Sequence, residues 1–528
     1  MSWHKRSHDV SKHGESPAKA DVVKQHRVAS LWALATFSAV LLLVSACVLV
    51  LCCPMPHLSD NPNAPHRNFV RNVGATHIQS VCPVRLSLPD SAQYGDSQYN
   101  ESEGDLQSFA RYGAFGDVYR AGVHNLRDSE DQSTFLNTQA SDSDISALVA
   151  KGNVDHDAQV LDGRLSRVAP GTGIAASMVS WATQGDVRGL AATACSNLVM
   201  KQAFLVPESG PGISLRLEAF NPASKPTVVR VRAWSAKHGS TPLTLSTGSA
   251  FTVPARSHAF FDLAAAAPQS AGLYVQADSE QTPVAAFIKV VRMSGLTVKG
   301  VDIIRALRPA SNMSVLPGLS QSDKAKVYVW SEKSGKVTLS WMEDTGYKAI
   351  KELSLSSRKL QIVDLGEVPE NVHALSVSGS VATAAMVSVV RDGKDGQSDV
   401  AFINANRSNG MSVVVSPMSP DETTLHIAST SNQDASVQMR AFDASGVLVG
   451  EKHITIHGNS AVSIPASYLA RRAVMFEVQS HSSISWGARI RSNEVDNAGV
   501  AGVAWIASQS LEPQQMQVFV VDNHHIVY

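Results

Sequence analysis

The chain is expected to be an all-β protein on a single membrane anchor, built as tandem immunoglobulin-like β-sandwich units after one N-terminal transmembrane helix. Three observations carry this: one long uncharged apolar run near the start, short period-two strands throughout the remainder, and a repeat of about a hundred residues. The chain has 528 residues, 44% hydrophobic and 17% charged. That is too long for one conventional core and too apolar for a wholly disordered protein. With 45 Lys+Arg against 46 Asp+Glu there is no cationic excess, which argues against nucleic-acid binding.

Residues 28–53 run without a charge (VASLWALATFSAVLLLVSACVLVLCC). As a helix they span roughly 39 Å, enough to cross a hydrocarbon layer of ~30 Å with some tilt. The preceding tail, 1–27, holds six Lys/Arg (Lys5, Arg6, Lys12, Lys19, Lys24, Arg27) against Asp9, Glu15 and Asp21. A net charge of 6 − 3 = +3 keeps that tail cytoplasmic and sends the bulk across, so the expected partner of 28–53 is the lipid bilayer. A cleaved signal peptide fits less well, since no small-x-small site followed by polar residues ends the run. Val44-Ser45-Ala46-Cys47 looks like a lipobox, but Val48 to Cys53 stays apolar where a lipoprotein continues into a polar tether. Residues 54–75, with Pro54, Pro56, Pro62 and Pro65, read as a stalk.

Beyond the stalk, runs such as SLRLEAF (214–220), TVVRVRAW (227–234) and AAFIKVV (285–291) alternate apolar and polar residues. Strands of this kind are half buried, with one face on a core. GLYVQADSEQTPVAAFIKVVR (272–292) recurs as ALSVSGSVATAAMVSVVR (374–391) and VMFEVQSHSSISWGARIR (474–491). The closing Arg292, Arg391 and Arg491 lie 99 and 100 residues apart. FFDL (260–263) answers IVDL (362–365) and VSIP (462–465), and Trp234 answers Trp341 and Phe442. FLVP, SVLP and VVVSP lead to Pro207, Pro317 and Pro417, and MQVFVV (516–521) resembles one more copy. An earlier unit starts at SVCP (80–83), ends at 173–196, and carries a long polar insert at about 88–150. Units are expected at 76–210, 211–318, 319–418 and 419–528, each with seven or eight strands, as two facing sheets require. The alternative is a β-propeller, because each unit halves into two four-strand groups.

Cys47, Cys52 and Cys53 fall in the apolar run, leaving Cys82 and Cys195 to bracket the first unit; two cysteines in an oxidising compartment suggest a disulfide, with two separate buried thiols as the alternative. The early Cys82-Pro83, Cys195 ahead of the FLVP strand, Leu-x-Leu-x-x-x-Asn221-Pro222 and VPARSHAFFDL (253–263) resemble an actinobacterial family of membrane-anchored extracytoplasmic proteins known as a domain of unknown function. The likeness covers roughly 76–510 and departs at the insert. It implies an anchored, all-β exterior in a cell envelope and supplies no catalytic residues.

No nucleophile elbow, zinc-protease helix motif, phosphate loop or C-x-x-C occurs, so no catalytic, cofactor or metal residue is assigned and the chain is expected not to be an enzyme. Asp155-His156-Asp157 and Asp392–Asp399 hold oxygen ligands, but each reads better as a turn. Trp181, Trp234, Trp341 and Trp486 recur on equivalent strands and are assigned to cores. In the insert, Tyr94, Tyr99, Tyr112, Phe115 and Tyr119 form a candidate binding loop for an envelope protein or glycan; the alternative has these aromatics folding onto the first unit. The functional expectation is a non-catalytic envelope protein that binds or scaffolds, against an envelope glycan- or peptide-processing enzyme or a passive spacer.

Overall fold

The computed structural model describes residues 68–88, 102–136, 146–237, 239–513 and 515–521. The anchor, most of the stalk, Tyr94 and Tyr99 lie outside the described residues. The fold is all-β, with 60% strand against 4% helix. Residues 72–516 form one compact unit. β1 (Asn68–Gly74) pairs with β34 (Gln515–Val521) in a separate two-stranded sheet, so 68–74 are strand where a stalk was expected.

Four repeats share one strand plan. Repeat 1 holds β2 (His77–Cys82), β3 (Gln107–Phe115), β4 (Val118–Asn125), β5 (Thr134–Phe135), β6 (Ala147–Gly152), β7 (Gln159–Leu165), β8 (Gly173–Ala182) and β9 (Gly189–Ala194), followed by the short β10 (Ser196–Asn197). Repeat 2 holds β11 (Lys201–Val206), β12 (Ile213–Asn221), β13 (Thr227–Ser235), β14 (Ala250–Val253), β15 (Ser257–Asp262), β16 (Leu273–Ser279), β17 (Ala285–Ser294) and β18 (Thr297–Arg305). Repeat 3 holds β19 (Ser311–Pro317), β20 (Lys324–Trp330), β21 (Gly335–Glu343), β22 (Gly346–Leu355), β23 (Gln361–Glu367), the long β24 (Val372–Asp392) and β25 (Ser398–Asn404). Repeat 4 holds β26 (Ser408–Val415), β27 (Thr423–Ser429), β28 (Ala435–Asp443), β29 (Leu448–Ile456), β30 (Ala461–Pro465), the long β31 (Ala473–Ile490), β32 (Ala504–Ala507) and the short β33 (Gln509–Ser510).

Each repeat makes two antiparallel sheets. In repeat 2 they run β14-β13-β16-β11 and β15-β12-β17-β18. Repeats 3 and 4 keep that order, except that β24 and β31 each pass from one sheet into the other as a single strand. Repeat 1 follows it too, as β5-β4-β7-β2 and β6-β3-β8-β9. The first strand of every repeat pairs inside its own repeat, β11 with β16 and β19 with β24. The boundaries therefore fall before the proline-ended strands, about ten residues ahead of those read from the sequence.

The repeats do not stand in a row; they close in a four-bladed, propeller-like arrangement. Repeat 2 meets repeat 3 where Tyr274 stacks on Trp330, with ring centroids 3.6 Å apart. Repeat 3 meets repeat 4 through Asp323 and Arg489, and repeat 1 shares a core with repeat 2 through Phe220 and Phe287. Closure is between repeats 1 and 4. There Trp181 Nε1 donates to Glu494 (3.0 Å), Gln509 Nε2 donates to the Ala176 carbonyl (2.9 Å), and Phe115 packs on Phe442. The innermost strands β9, β18, β25 and β32 pack on one another around the axis.

This arrangement corrects the half-buried expectation for the inner strands. Every residue of β8 is buried, as are the first seven of β17, because both faces of those sheets are covered. Strands covered on both sides read as near-continuous apolar or small-residue runs instead of alternating ones. β9 is GLAATA, and small side chains let its neighbours approach closely. Gly300 shows the limit: at φ +128° a Cβ there would sit 2.7 Å from the Val400 nitrogen. Outer strands alternate as expected, with Val229 and Val231 of β13 inward and Arg230 and Arg232 outward. Arg232 pairs with Asp278 on the neighbouring β16.

The polar insert at 88–150 is also corrected. β3, β4 and β5 fall inside it, and they are regular members of repeat 1. Leu126, Leu136 and Ala110 from this stretch join the core. Serines and glycines between the apolar residues hid the strands.

Candidate ligand-binding site at the hub

Of the residues expected to matter, Cys82 and Cys195 are joined in a disulfide at a Cα–Cα distance of 4.4 Å. It links the end of β2 to the residue after β9, closing a loop of 113 residues. Replacing both cysteines with serine should cost about 4–5 kcal/mol in chain-entropy terms, read as a lower urea midpoint than the oxidised protein shows.

Two residues of the candidate aromatic loop, Tyr112 and Phe115, do not lie at the surface. Tyr112 is fully buried and Phe115 nearly so, because alternate positions of β3 face the cores on its two sides. The buried Tyr112 hydroxyl has no partner among the described residues, and burial pushes its ionisation up. Tyr119 alone of the described three is exposed, at 67%. Asp155 is tied to Ser108 (2.5 Å) and Asn153 in its turn. The four tryptophans are buried, Trp234 and Trp341 on third strands and Trp181 and Trp486 on the strand before the axis.

One triad among the described residues has metal-ligand composition: His77, Glu130 and Asp162 offer atoms within 4.8 Å of one another. Arg164 already fills the electrostatic role of a cation there. It donates to both Glu130 oxygens (2.8 and 2.9 Å) and lies 3.6 Å from Asp162. Its hydrogen bond holds the Glu130 carboxyl below the usual range.

The polar groups that sequence reasoning missed lie along the axis. Asp399, at the start of β25, is fully buried and ties three other strand neighbourhoods together. One oxygen accepts from Val301 N (3.0 Å), the other from Leu190 N (3.0 Å) and Val503 N (2.9 Å). Burial pushes its carboxyl up to about 7, against the opposing pull of those backbone donors. Gly189 is favoured beside it, because its φ of +140° strains any side chain and a Cβ there would sit 3.0 Å from Asp399 Oδ1. Further along, Asp302 accepts from Phe402 N (2.7 Å) with its other oxygen unpartnered, and burial pushes it well above the carboxylate range.

At the far end of the same four strands is a recess of about 40 Å³, lined by Thr193, Ile303, Phe402 and Trp505, one from each repeat, with Arg305 and Asn404. Three buried polar atoms of its wall have no partner among the described residues: Arg305 Nε, Trp505 Nε1 and Asn404 Oδ1. Asn404 Nδ2 donates to the Arg305 carbonyl (2.7 Å), and an Arg305 amino group reaches the Cys195 carbonyl (3.3 Å). Burial, and then the neighbouring Arg308 charge, hold the Arg305 guanidinium below its ordinary value. Arg305, Ala306 and Arg308 are also the wall of a larger cavity of about 500 Å³, bounded by Ile78, Val168, Asn197, Leu307 and Ser510. A concave space with few convergent polar groups is where a small ligand binds. One signal was legible: Arg308 and Arg407 stand 99 residues apart, the spacing that separates Arg292 and Arg391, and both border the same end of the ring.

Comparison with curated proteins finds no match. A family profile described as a family of unknown function, DUF5719, matches residues 149–467, from repeat 1 into repeat 4 and more than half of the sequence. The chain belongs to that family.

Proposed function

We propose that this is a non-catalytic, membrane-anchored protein of an actinobacterial cell envelope, held by residues 28–53 and working by binding. The observation that carries the reading is the hub: a cavity of about 500 Å³ that shares Arg305, Ala306 and Arg308 with a recess in which three buried polar atoms lack partners among the described residues. Unpaired buried donors are costly, of order 1–3 kcal/mol each, unless something completes them. Each repeat is read as a variant of the immunoglobulin-like sandwich, since second and fifth strands pair in one sheet and third and sixth in the other.

The test is capture of envelope polymers by the full-length protein, compared with Asn197→Trp. Asn197 is exposed at the cavity wall, so the indole should obstruct entry without disturbing the core. Capture is expected to fall with an unchanged melting temperature. Equal capture by both proteins would remove the cavity from the function.

A further inference from the structure

We propose that the hub cavity binds an oxyanion, a phosphate or carboxylate carried on a sugar or polyol chain, clamped between Arg305 and Arg308. This deepens the binding role above and rests on it.

Arg305 is half-buried at the end of β18 with its Nε unpartnered, and Arg308 is exposed three residues on. Neither has an ion-pair partner among the described residues. The acid in the cavity wall, Glu512, is engaged elsewhere: its Oε1 accepts from Met411 N (2.7 Å). Glu512 keeps its charge in that bond but forms no ion pair with either arginine among the described residues, so two guanidinium groups share a cavity with a single carboxylate in its wall, and one positive charge is left over. Water can complete a hydrogen bond to Arg305 Nε but leaves the charge unbalanced. An oxyanion does both, because planar guanidinium donors match the oxygens of carboxylate and phosphate in pairs. Trp505 Nε1 supplies a further buried donor in the recess, and acceptor-only ligand atoms suit it. Beyond the arginines the wall is divided between Ile78, Val168 and Leu307 and the polar Ser196, Asn197 and Ser510. Such a lining suits a chain with both carbon skeleton and hydroxyl groups.

The experiment is calorimetric titration of the full-length protein in detergent with three probes: an oligomeric glycerol phosphate, an oligogalacturonate and a neutral malto-oligosaccharide of similar length. At least one anionic probe should bind, more weakly as salt rises, while the neutral one does not; which anion binds identifies the oxyanion. Arg308→Gln, at an exposed position, should weaken that binding by about tenfold with an unchanged melting temperature, and Arg305→Gln by at least as much. Arg308→Lys should lose less, since it keeps the charge. Two outcomes overturn the proposal: no binding of either anionic probe, or binding that Arg308→Gln leaves intact. Neutral-probe binding blocked by Asn197→Trp would overturn the oxyanion and leave the binding role standing. Failure of all three probes together with failed envelope capture would remove both.

Discussion

Asp399→Ala is expected to destabilise the protein by about 3 kcal/mol or more, since it strips the acceptor from three buried N–H groups at once, each worth roughly 1–3 kcal/mol when left unpaired. The donors belong to Leu190, Val301 and Val503, which come from repeats 1, 2 and 4, while Asp399 itself belongs to repeat 3. A single side chain thus stitches all four blades at the axis. Chemical unfolding followed by tryptophan fluorescence reads the effect, and a midpoint equal to wild type would show that the clamp is dispensable. The same residue has a pH signature. Its folded-state value of about 7 lies above the ordinary ~3.9, so the folded state holds the proton more tightly. Its contribution is present at low pH and is lost as pH rises from about 4 to about 7. His426 acts in the opposite direction: burial first, then the Arg489 charge, lowers it to about 3, so its penalty appears as pH falls below about 6.5. Asp302, which burial also raises, loses stability in the same direction as Asp399, so the Asp399 contribution between pH 4 and 6.5 is read as the difference between wild type and a variant. Relative to wild type, Asp399→Asn should gain stability as pH rises over that window, and parallel profiles for the two proteins would contradict the assignment.

Breaking the pair between Asp323 and Arg489 should have the next largest effect. Arg489 donates to both oxygens of Asp323 (2.5 and 2.8 Å) and to the Gly318 carbonyl (2.9 Å), with both side chains under a tenth exposed. The partners come from repeats 3 and 4, so the fork pins one blade to the next. Asp323→Ala leaves a guanidinium buried without its counter-charge, at a cost of about 3–5 kcal/mol. The double variant Asp323→Leu/Arg489→Met should recover more than half of that, because removing both charges together abolishes their desolvation as well. A double variant as unstable as Asp323→Ala would mean that the charges themselves, and not the unpaired residue, matter.

Much of the strand plan was legible, and the reason is local. FLVP, SVLP and VVVSP mark the first strand of repeats 2, 3 and 4, FFDL, IVDL and VSIP the fifth, and Trp234, Trp341 and Phe442 the third. These are side-chain patterns set by one strand and its immediate neighbours. Ring closure is not local. Ala176 meets Gln509 across 333 residues, and nothing in either segment names the other. The clue lay in β8 and β9, whose small and apolar residues do not alternate and so require cover on both faces. Asp302 and Asp399 were hidden for a related reason: a buried acid in an apolar strand is informative only once three other strands converge on it. Tyr112 and Phe115 misled in the opposite direction, since serine, glycine and acidic neighbours gave a core strand the composition of a loop.

Closure can be tested by cross-linking Gln107→Cys to Glu494→Cys in full-length protein whose Cys47, Cys52 and Cys53 are alanine. The native side chains at these exposed positions are hydrogen-bonded at 3.2 Å, although 387 residues separate them. A closed ring predicts rapid intramolecular capture by a short bis-maleimide in dilute solution. Single-cysteine controls that label fully, beside a double variant that does not cross-link within one chain, would contradict it.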